Sequence, residues 1–337
     1  MTGAVMPWGL DTVVPQEFVK LVQDGDVQHI TIPPALLKAG DNRRLRGEDL
    51  MQGKSALRKG ELLTPARLGL AASLGLDTLK TWRRLRVAYF STGDEILSLG
   101  EAPREGAVYD SNRYTVFGML SRLGCEVIDM GVVRDDPVLL EAAFTSAALE
   151  ADAIITSGGV SVGEADYTKA MMKKLGDVAF WRIAMRPGRP MAVGRISSIK
   201  SAFQDYGTGA SSYYNSSNLN DAVLFGLPGN PVAVMVTFLA FVRPALLRMM
   251  GANPEPTLLL KARSSQAIRK KPGRTEYQRG RVSTASDGSL KVSTTGNQGS
   301  GVLSSMAEAN GLIVLHHTQG SVAKGDEVDV MMFDGVI

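Results

Sequence analysis

The spacing of apolar positions changes three times along the chain. From about residue 85 to 250, short apolar runs alternate with stretches of helical period. Strands are predicted at 85–90, 126–133, 153–156, 179–185 and 222–225, and helices at 111–123, 137–150, 167–175 and 231–250. Asp136-Pro137 and Asn230-Pro231 each set a capping residue before a first-turn proline, which supports two of those helix starts. Such strand–loop–helix repetition predicts a doubly wound, largely parallel α/β sheet. Within it, residues 197–220 are polar and lack apolar periodicity, as expected of a long surface insertion.

The flanks differ. In residues 1–84 an Asp24-Gly25 turn lies between two short alternating runs, a hairpin signal, and Thr64-Pro65 opens a helix that ends near Gly75. This mixed α/β region looks too sparse to close a core alone. From 251 to 337, short alternating runs separated by Asp287-Gly288 and Asn310-Gly311 predict turns and a small closed or half-closed β-barrel-like domain. The predicted domains are therefore 1–84, 85–250 and 251–337.

Composition narrows the class. Hydrophobic residues make up 44% and charged residues 21% of 337, ordinary values for a globular chain. The 37 Lys and Arg stand against 34 Asp and Glu, so no broad basic face for nucleic acid is expected. A single cysteine, Cys125, excludes an internal disulfide framework and fits a reducing, cytoplasmic setting; its apolar neighbours place it in the core. Residues 1–6 carry no basic, apolar signal-peptide pattern. The most apolar stretch, 231–242, is shorter than the roughly 20 residues of a membrane span and reads as a buried helix.

Candidate chemistry gathers where the predicted strands end, the usual ligand edge of such sheets. The strand at 153–156 runs into Gly158, Gly159, Ser161 and Gly163, a loop whose glycines let backbone N–H groups approach a phosphate. Glu95, Asp135 and Asp166 follow three different strands, and carboxylates with substrate phosphates are what Mg²⁺ requires. Arg186 and Arg189, in a rigid Arg-Pro-Gly-Arg-Pro turn, suit a tetrahedral oxyanion. Pro228 and Asn230 belong to a further rigid strand-to-helix loop. Structural alternatives stay open at this level: glycines make ordinary turns, Asp136 is an N-cap, Asp94 closes a turn, and surface arginines are commonly solvated.

These segments have a shared order. Ser91-Thr92-Gly93-Asp94-Glu95, Tyr109-Asp110-Ser111-Asn112, the run from Ser157 to Tyr167, Met185-Arg186-Pro187-Gly188-Arg189-Pro190 and Gly226-Leu227-Pro228-Gly229-Asn230-Pro231 resemble, in sequence, the motifs of the MoeA family. That family includes the bacterial molybdopterin molybdenumtransferases and the E domain of gephyrin. Arg46-Gly47-Glu48-Asp49, the run from Arg274 to Arg279, and Thr295-Gly296-Asn297-Gln298-Gly299-Ser300 also match.

The resemblance implies a role in molybdenum cofactor biosynthesis: molybdate inserted into molybdopterin-AMP, with Mg²⁺-dependent release of AMP. It implies that Glu95, Asp135 and Asp166 hold the metal and nucleotide phosphates, with Asp49 contributing. Arg186, Arg189, Arg274 and Ser300 would form the molybdate pocket, although the family often has lysine at the first two positions. It implies a homodimer, with a molybdopterin adenylyltransferase and molybdoenzymes as further partners and neither nucleic acid nor membrane. The family's Met-Thr-Gly-Ala motif normally lies well inside the chain but stands here at residues 1–4. The chain is therefore expected to lack the family's N-terminal segment and to turn over poorly. A molybdopterin adenylyltransferase and a scaffold protein of the same family are the alternatives. The arginine clamp and the β-rich C-terminal region weigh against the first, and the retained acids and clamp against the second.

Overall fold

The computed structural model describes residues 3–159, 167–197 and 221–333. The chain divides into two compact units, Met1–Leu79 and Lys80–Ile337.

In the first unit the predicted hairpin forms from β1 (Lys20–Asp24) and β2 (Val27–Thr31), with Asp24 opposite Val27 across the turn. Helix α1 (Pro65–Ser73) starts as predicted: Pro65 opens it and the Thr64 side chain accepts a hydrogen bond from the Arg67 N–H. Among this unit's described residues only Ala71 is buried, while Trp8, Leu21, Val22, Ile30 and Leu62 are exposed. The sparse core expected from the sequence is what is seen.

The second unit is built on a six-stranded sheet. Its strands are β3 (Arg86–Thr92), β6 (Glu126–Val133), β7 (Ala153–Ser157), β8 (Gly176–Arg182), β10 (Pro190–Ile196) and β11 (Ala222–Leu227), in the order β6-β3-β7-β11-β10-β8. A small ladder of β4 (Ile96–Leu97) and β5 (Val108–Tyr109) lies outside it. The four strands from β6 to β11 run parallel, and β10 is antiparallel to both neighbours. Side chains of β3 alternate between two cores. Val87 and Tyr89 pack with helix α2 (Ser111–Leu123) on one face, and Ala88 and Phe90 with α3 (Pro137–Glu150) and α4 (Tyr167–Leu175) on the other. The sheet is therefore doubly wound.

Two predictions here need correction. The single strand expected at 179–185 is β8 followed, after a break, by a two-residue strand β9 (Met185–Arg186) that leaves the sheet. Strand β10 was not predicted at all, because Pro190 at its start and Gly194 inside it mask its alternation.

The expected long helix runs from Pro231 to Met249, as α5 (Pro231–Thr237), a π turn at Phe238–Val242 and α6 (Arg243–Met249). The π turn lies just before Pro244, whose ring and missing N–H would break a regular α-helix. At 19 residues and mean hydropathy 1.8 the helix is long and apolar enough to cross a bilayer, so the length argument fails. Burial decides instead: Val232, Val234, Val236, Phe238, Leu239, Val242 and Leu246 all sit in the core beside α2 and the sheet.

The C-terminal part closes into a barrel. Strands β12 (Leu260–Ser264), β13 (Thr275–Thr284), β14 (Leu290–Thr294), β15 (Gly311–Leu315) and β16 (Glu327–Met332) follow the order β14-β12-β16-β15-β13, and β13 pairs back to β14. Ala262, Ile268, Val292, Ile313, Leu315, Val328 and Val330 fill it. Between β14 and β15, α7 (Ser304–Ala307) adds Met306 to the core shared with the sheet. Strand β9 pairs parallel with β13, Met185 opposite Thr275 and Arg186 opposite Glu276. The predicted turn at Asp287-Gly288 is present, with the Asp287 carboxylate accepting from the Ser289 N–H and hydroxyl. Asn310-Gly311 is not a hairpin turn: the Asn310 side chain pairs with both backbone groups of Val282.

Candidate active site

Because β3, β7 and β11 are adjacent and parallel, their carboxyl ends open on one edge of the sheet. There a cavity of about 950 Å³ is lined by Ser91 and Thr92 at the end of β3 with Glu95 beyond it, by Ser157 at the end of β7 with Gly158 and Gly159 beyond it, and by Pro228, Gly229 and Asn230 after β11. Arg186, Gly188 and Arg189 reach it from the loop that enters β10, and Arg274, Gln298, Gly299 and Ser300 from the barrel. The expected phosphate loop, oxyanion clamp and first acid thus share one mouth.

Gly158 could not be another residue. Its φ is 91°, and a Cβ there would run into the Thr92 carbonyl, so the loop after β7 lies flush against the end of β3. Gly188, φ 95°, is pressed in the same way on the Thr237 hydroxyl of α5, which seats the arginine turn on that helix.

The floor is polar and buried. The Tyr89 hydroxyl lies 2.8 Å from Ser91 Oγ and 2.7 Å from Ser157 Oγ, and the two serines are 3.1 Å apart, a closed ring of three hydroxyls. Burial pushes the Tyr89 phenol well above its usual pKa, so it stays protonated. Beside the ring three oxygens have no hydrogen-bond partner: Thr92 Oγ1, Asp110 Oδ2 and Asn112 Oδ1. Asp110 caps α2 through its other oxygen, and Asn112 donates to the Gly229 carbonyl at 2.7 Å, tying α2 to the loop after β11. In the sequence Asp110 and Asn112 carry no signal of a role, since Asp-Ser-Asn before a helix already explains itself as a cap. Asn230, read as a cap, makes no capping hydrogen bond through its side chain and faces the cavity instead.

On the barrel side, Arg274 is held by a buried carboxylate, Nε to Glu276 Oε1 at 2.8 Å. The segment carrying Gln298 and Ser300 wraps Arg279, whose guanidinium donates to the carbonyls of Asn297 and Gly299 and to Ser305 Oγ. The Ser300 carbonyl in turn accepts from the Val232 N–H in the first turn of α5. None of Arg186, Arg189 and Arg279 forms an ion pair among the described residues.

Of the expected acid trio the described residues hold Glu95 and Asp135, and no group of three metal-ligating side chains occurs among them. Glu95 lines the cavity, whereas Asp135 is exposed beyond β6 and is absent from the lining, its N–H 3.3 Å from Asp94 Oδ1. The Asp94 carbonyl accepts from Arg134 at 2.9 Å, whereas the turn that holds it is closed by the Ile96 N–H on the Gly93 carbonyl at 3.2 Å. Ser161, Gly163, Asp166 and the polar insertion from 198 onward lie outside the described residues. Asp49 is exposed in a bend of the first unit. Mg²⁺ is commonly held by one or two carboxylates plus substrate phosphates, so Glu95 with the unpartnered Asp110 Oδ2 fits a cation that arrives with a phosphate.

A doubly wound sheet whose ligand edge is walled by a barrel and lined with glycines, arginines and acids makes this an α/β protein with a polar cavity at the carboxyl ends of its strands. Three family models divide the chain in the same order: the MoeA N-terminal region (domain I and II) over residues 1–75, the "Probable molybdopterin binding domain" over 88–248, and the MoeA C-terminal region (domain IV) over 261–333. The molybdopterin molybdenumtransferase of Haemophilus influenzae is 38% identical over the whole of this chain and 77% of its own length. That of a Nostoc species is 34% identical over 98% of this chain and 70% of its own. The crystal structure of a molybdopterin biosynthesis MoeA protein from Pyrococcus horikoshii aligns with a TM-score of 0.70 at 25% identity, covering 98% of this chain and 73% of that one. The chain belongs to the MoeA family of molybdopterin molybdenumtransferases.

Proposed function

We propose that this chain is the enzyme that inserts molybdate into adenylylated molybdopterin and releases AMP. The observation that carries the proposal is the single cavity in which a phosphate-type glycine loop faces three guanidinium groups and Ser300. Molybdate is a tetrahedral dianion, and Arg186, Arg189, Arg274 and Ser300 offer it fixed donors. The backbone N–H of Gly159, continued by Ser161 and Gly163, takes the phosphates beside Pro228 and Asn230, while the Gly158 N–H, donated to the Leu227 carbonyl at 3.3 Å, ties the loop to β11. Mg²⁺ would be held by Glu95 with Asp166 and with the Asp110 carboxylate, rather than by the exposed Asp135, and would supply charge neutralisation for cleavage of the phosphoanhydride. Glu276 keeps Arg274 oriented while lowering its net charge, which leaves Arg186 and Arg189 as the stronger attractants.

The proposal extends to a cytoplasmic homodimer. Cys125 is a buried free thiol, its pKa pushed up to about 11 by burial, in keeping with a reducing compartment. The exposed apolar side chains of the first unit are the surface a second copy would cover.

The test is AMP release from molybdopterin-AMP with Mg²⁺, with and without molybdate. Release that depends on molybdate is expected, and Glu95→Gln should slow it by about 100-fold. Asp49→Asn in the same assay examines the role that the resemblance gives Asp49. Release indifferent to molybdate would overturn the reading.

A further inference from the structure

A second, smaller cavity of about 260 Å³ opens on the barrel side of Arg186 and Pro187. Its wall includes Arg186, Arg269, Arg279, Glu276, Gln266 and Gln278. Arg186, Pro187 and Gln298 line both cavities, so the β9 turn is the partition between them.

We infer that this cavity is a second anion site, built for a small tetrahedral dianion. Three arginines line it against one carboxylate. That carboxylate, Glu276, is already engaged: Oε1 by Arg274 Nε at 2.8 Å and Oε2 by Gln278 Nε2 at 3.3 Å. Neither Arg186, Arg269 nor Arg279 has an ion pair among the described residues. Arg279 is 1% exposed and is satisfied only by a hydroxyl and two carbonyls. A buried cation held by neutral dipoles alone is costly, and a neighbouring cation adds to the cost. Both effects register on Arg279, whose pKa is lowered to about 10 by burial and then by the charge of Arg186. An anion between these groups removes the repulsion and completes the pairing. The volume suits an ion of that size with a few waters, each taking about 30 Å³.

Because Arg186 stands on the partition, it serves one anion fully at a time. A dianion in the small cavity therefore weakens binding in the large one, and the reverse holds equally. The inference does not depend on the chemistry proposed for the large cavity.

Equilibrium dialysis of the full chain against molybdate, and separately against sulfate, tests it. Two bound molybdates per chain are expected. Arg269→Gln changes an exposed rim cation outside the large cavity; it should weaken one of the two at least about tenfold and leave the thermal melting curve in place. Arg189→Gln should weaken the other. Displacement of the Arg269-dependent ion by sulfate marks a site for free oxyanions in general, and displacement by AMP alone marks one for a phosphate ester. A single molybdate per chain, unaffected by Arg269→Gln, overturns the inference. A single molybdate that is weakened by Arg269→Gln and untouched by Arg189→Gln would uphold the inference and count against the reading of the large cavity instead.

Discussion

Asp152, just before β7, accepts three hydrogen bonds from two partners. It accepts two hydrogen bonds from Arg83, at 2.7 and 2.6 Å, and one from the Arg86 N–H at 2.8 Å. The Arg83 hydrogen bonds hold its carboxyl below the ordinary value of 3.8. A depressed folded-state pKa means the stabilisation is complete above the unfolded value and disappears as pH falls through the folded one. Asp152→Asn should therefore cost about 1 kcal/mol at pH 7, with Arg83 largely in water. Urea titrations at pH 7 and pH 2.5 should show the gap between the two proteins closing in acid. Single residues were legible in the sequence where chemistry and position agreed, as for the place of Glu95, Arg186 and Arg189 at one cavity. They were illegible where burial decided. Nothing in the letters separates Asp110, which leaves an oxygen bare in the cavity floor, from Asp136, which spends itself on two N–H groups of α3.

Among the elements, helices and parallel strands were readable because their apolar periods and caps point the same way. The misreadings fall where a side chain imitates backbone. Asn310 was taken for a turn residue, yet its Oδ1 accepts from the Val282 N–H at 2.7 Å and its Nδ2 donates to the Val282 carbonyl at 2.9 Å, as a neighbouring strand would. Asn310→Ala leaves both groups of Val282 unpaired and should lower stability by about 1–3 kcal/mol in chemical denaturation. Asn310→Asp retains the acceptor and loses the donor, so it should fall between. A variant as stable as the parent would mean that water replaces both bonds. Strand β10 escaped for a related reason: its inclusion rests on long-range pairing with β8 and β11, which no local pattern announces.

For the whole molecule, changes of period mark the doubly wound sheet and the β-rich stretch after it, but neither strand order nor closure of the barrel could be read from them. Those depend on pairings between distant segments, such as β13 with β14 around the closed sheet. The hydrophobic clusters contain no residue before Leu85, and the first unit shows its apolar side chains to solvent. Light scattering should thus return twice the 36.0 kDa chain mass at micromolar concentration. A monomer there would remove the support for a homodimer.

The two residues of β9 lie between sheet strands in the sequence yet hydrogen-bond to the barrel. Arg186 thus takes its height from β13, next to the Glu276 that steadies Arg274. In descent or in design, clamp and barrel are one heritable part. A barrel transplanted from a relative will seat the arginine turn only if it brings a matching edge at the positions of Thr275 and Glu276, whatever the sheet beneath retains.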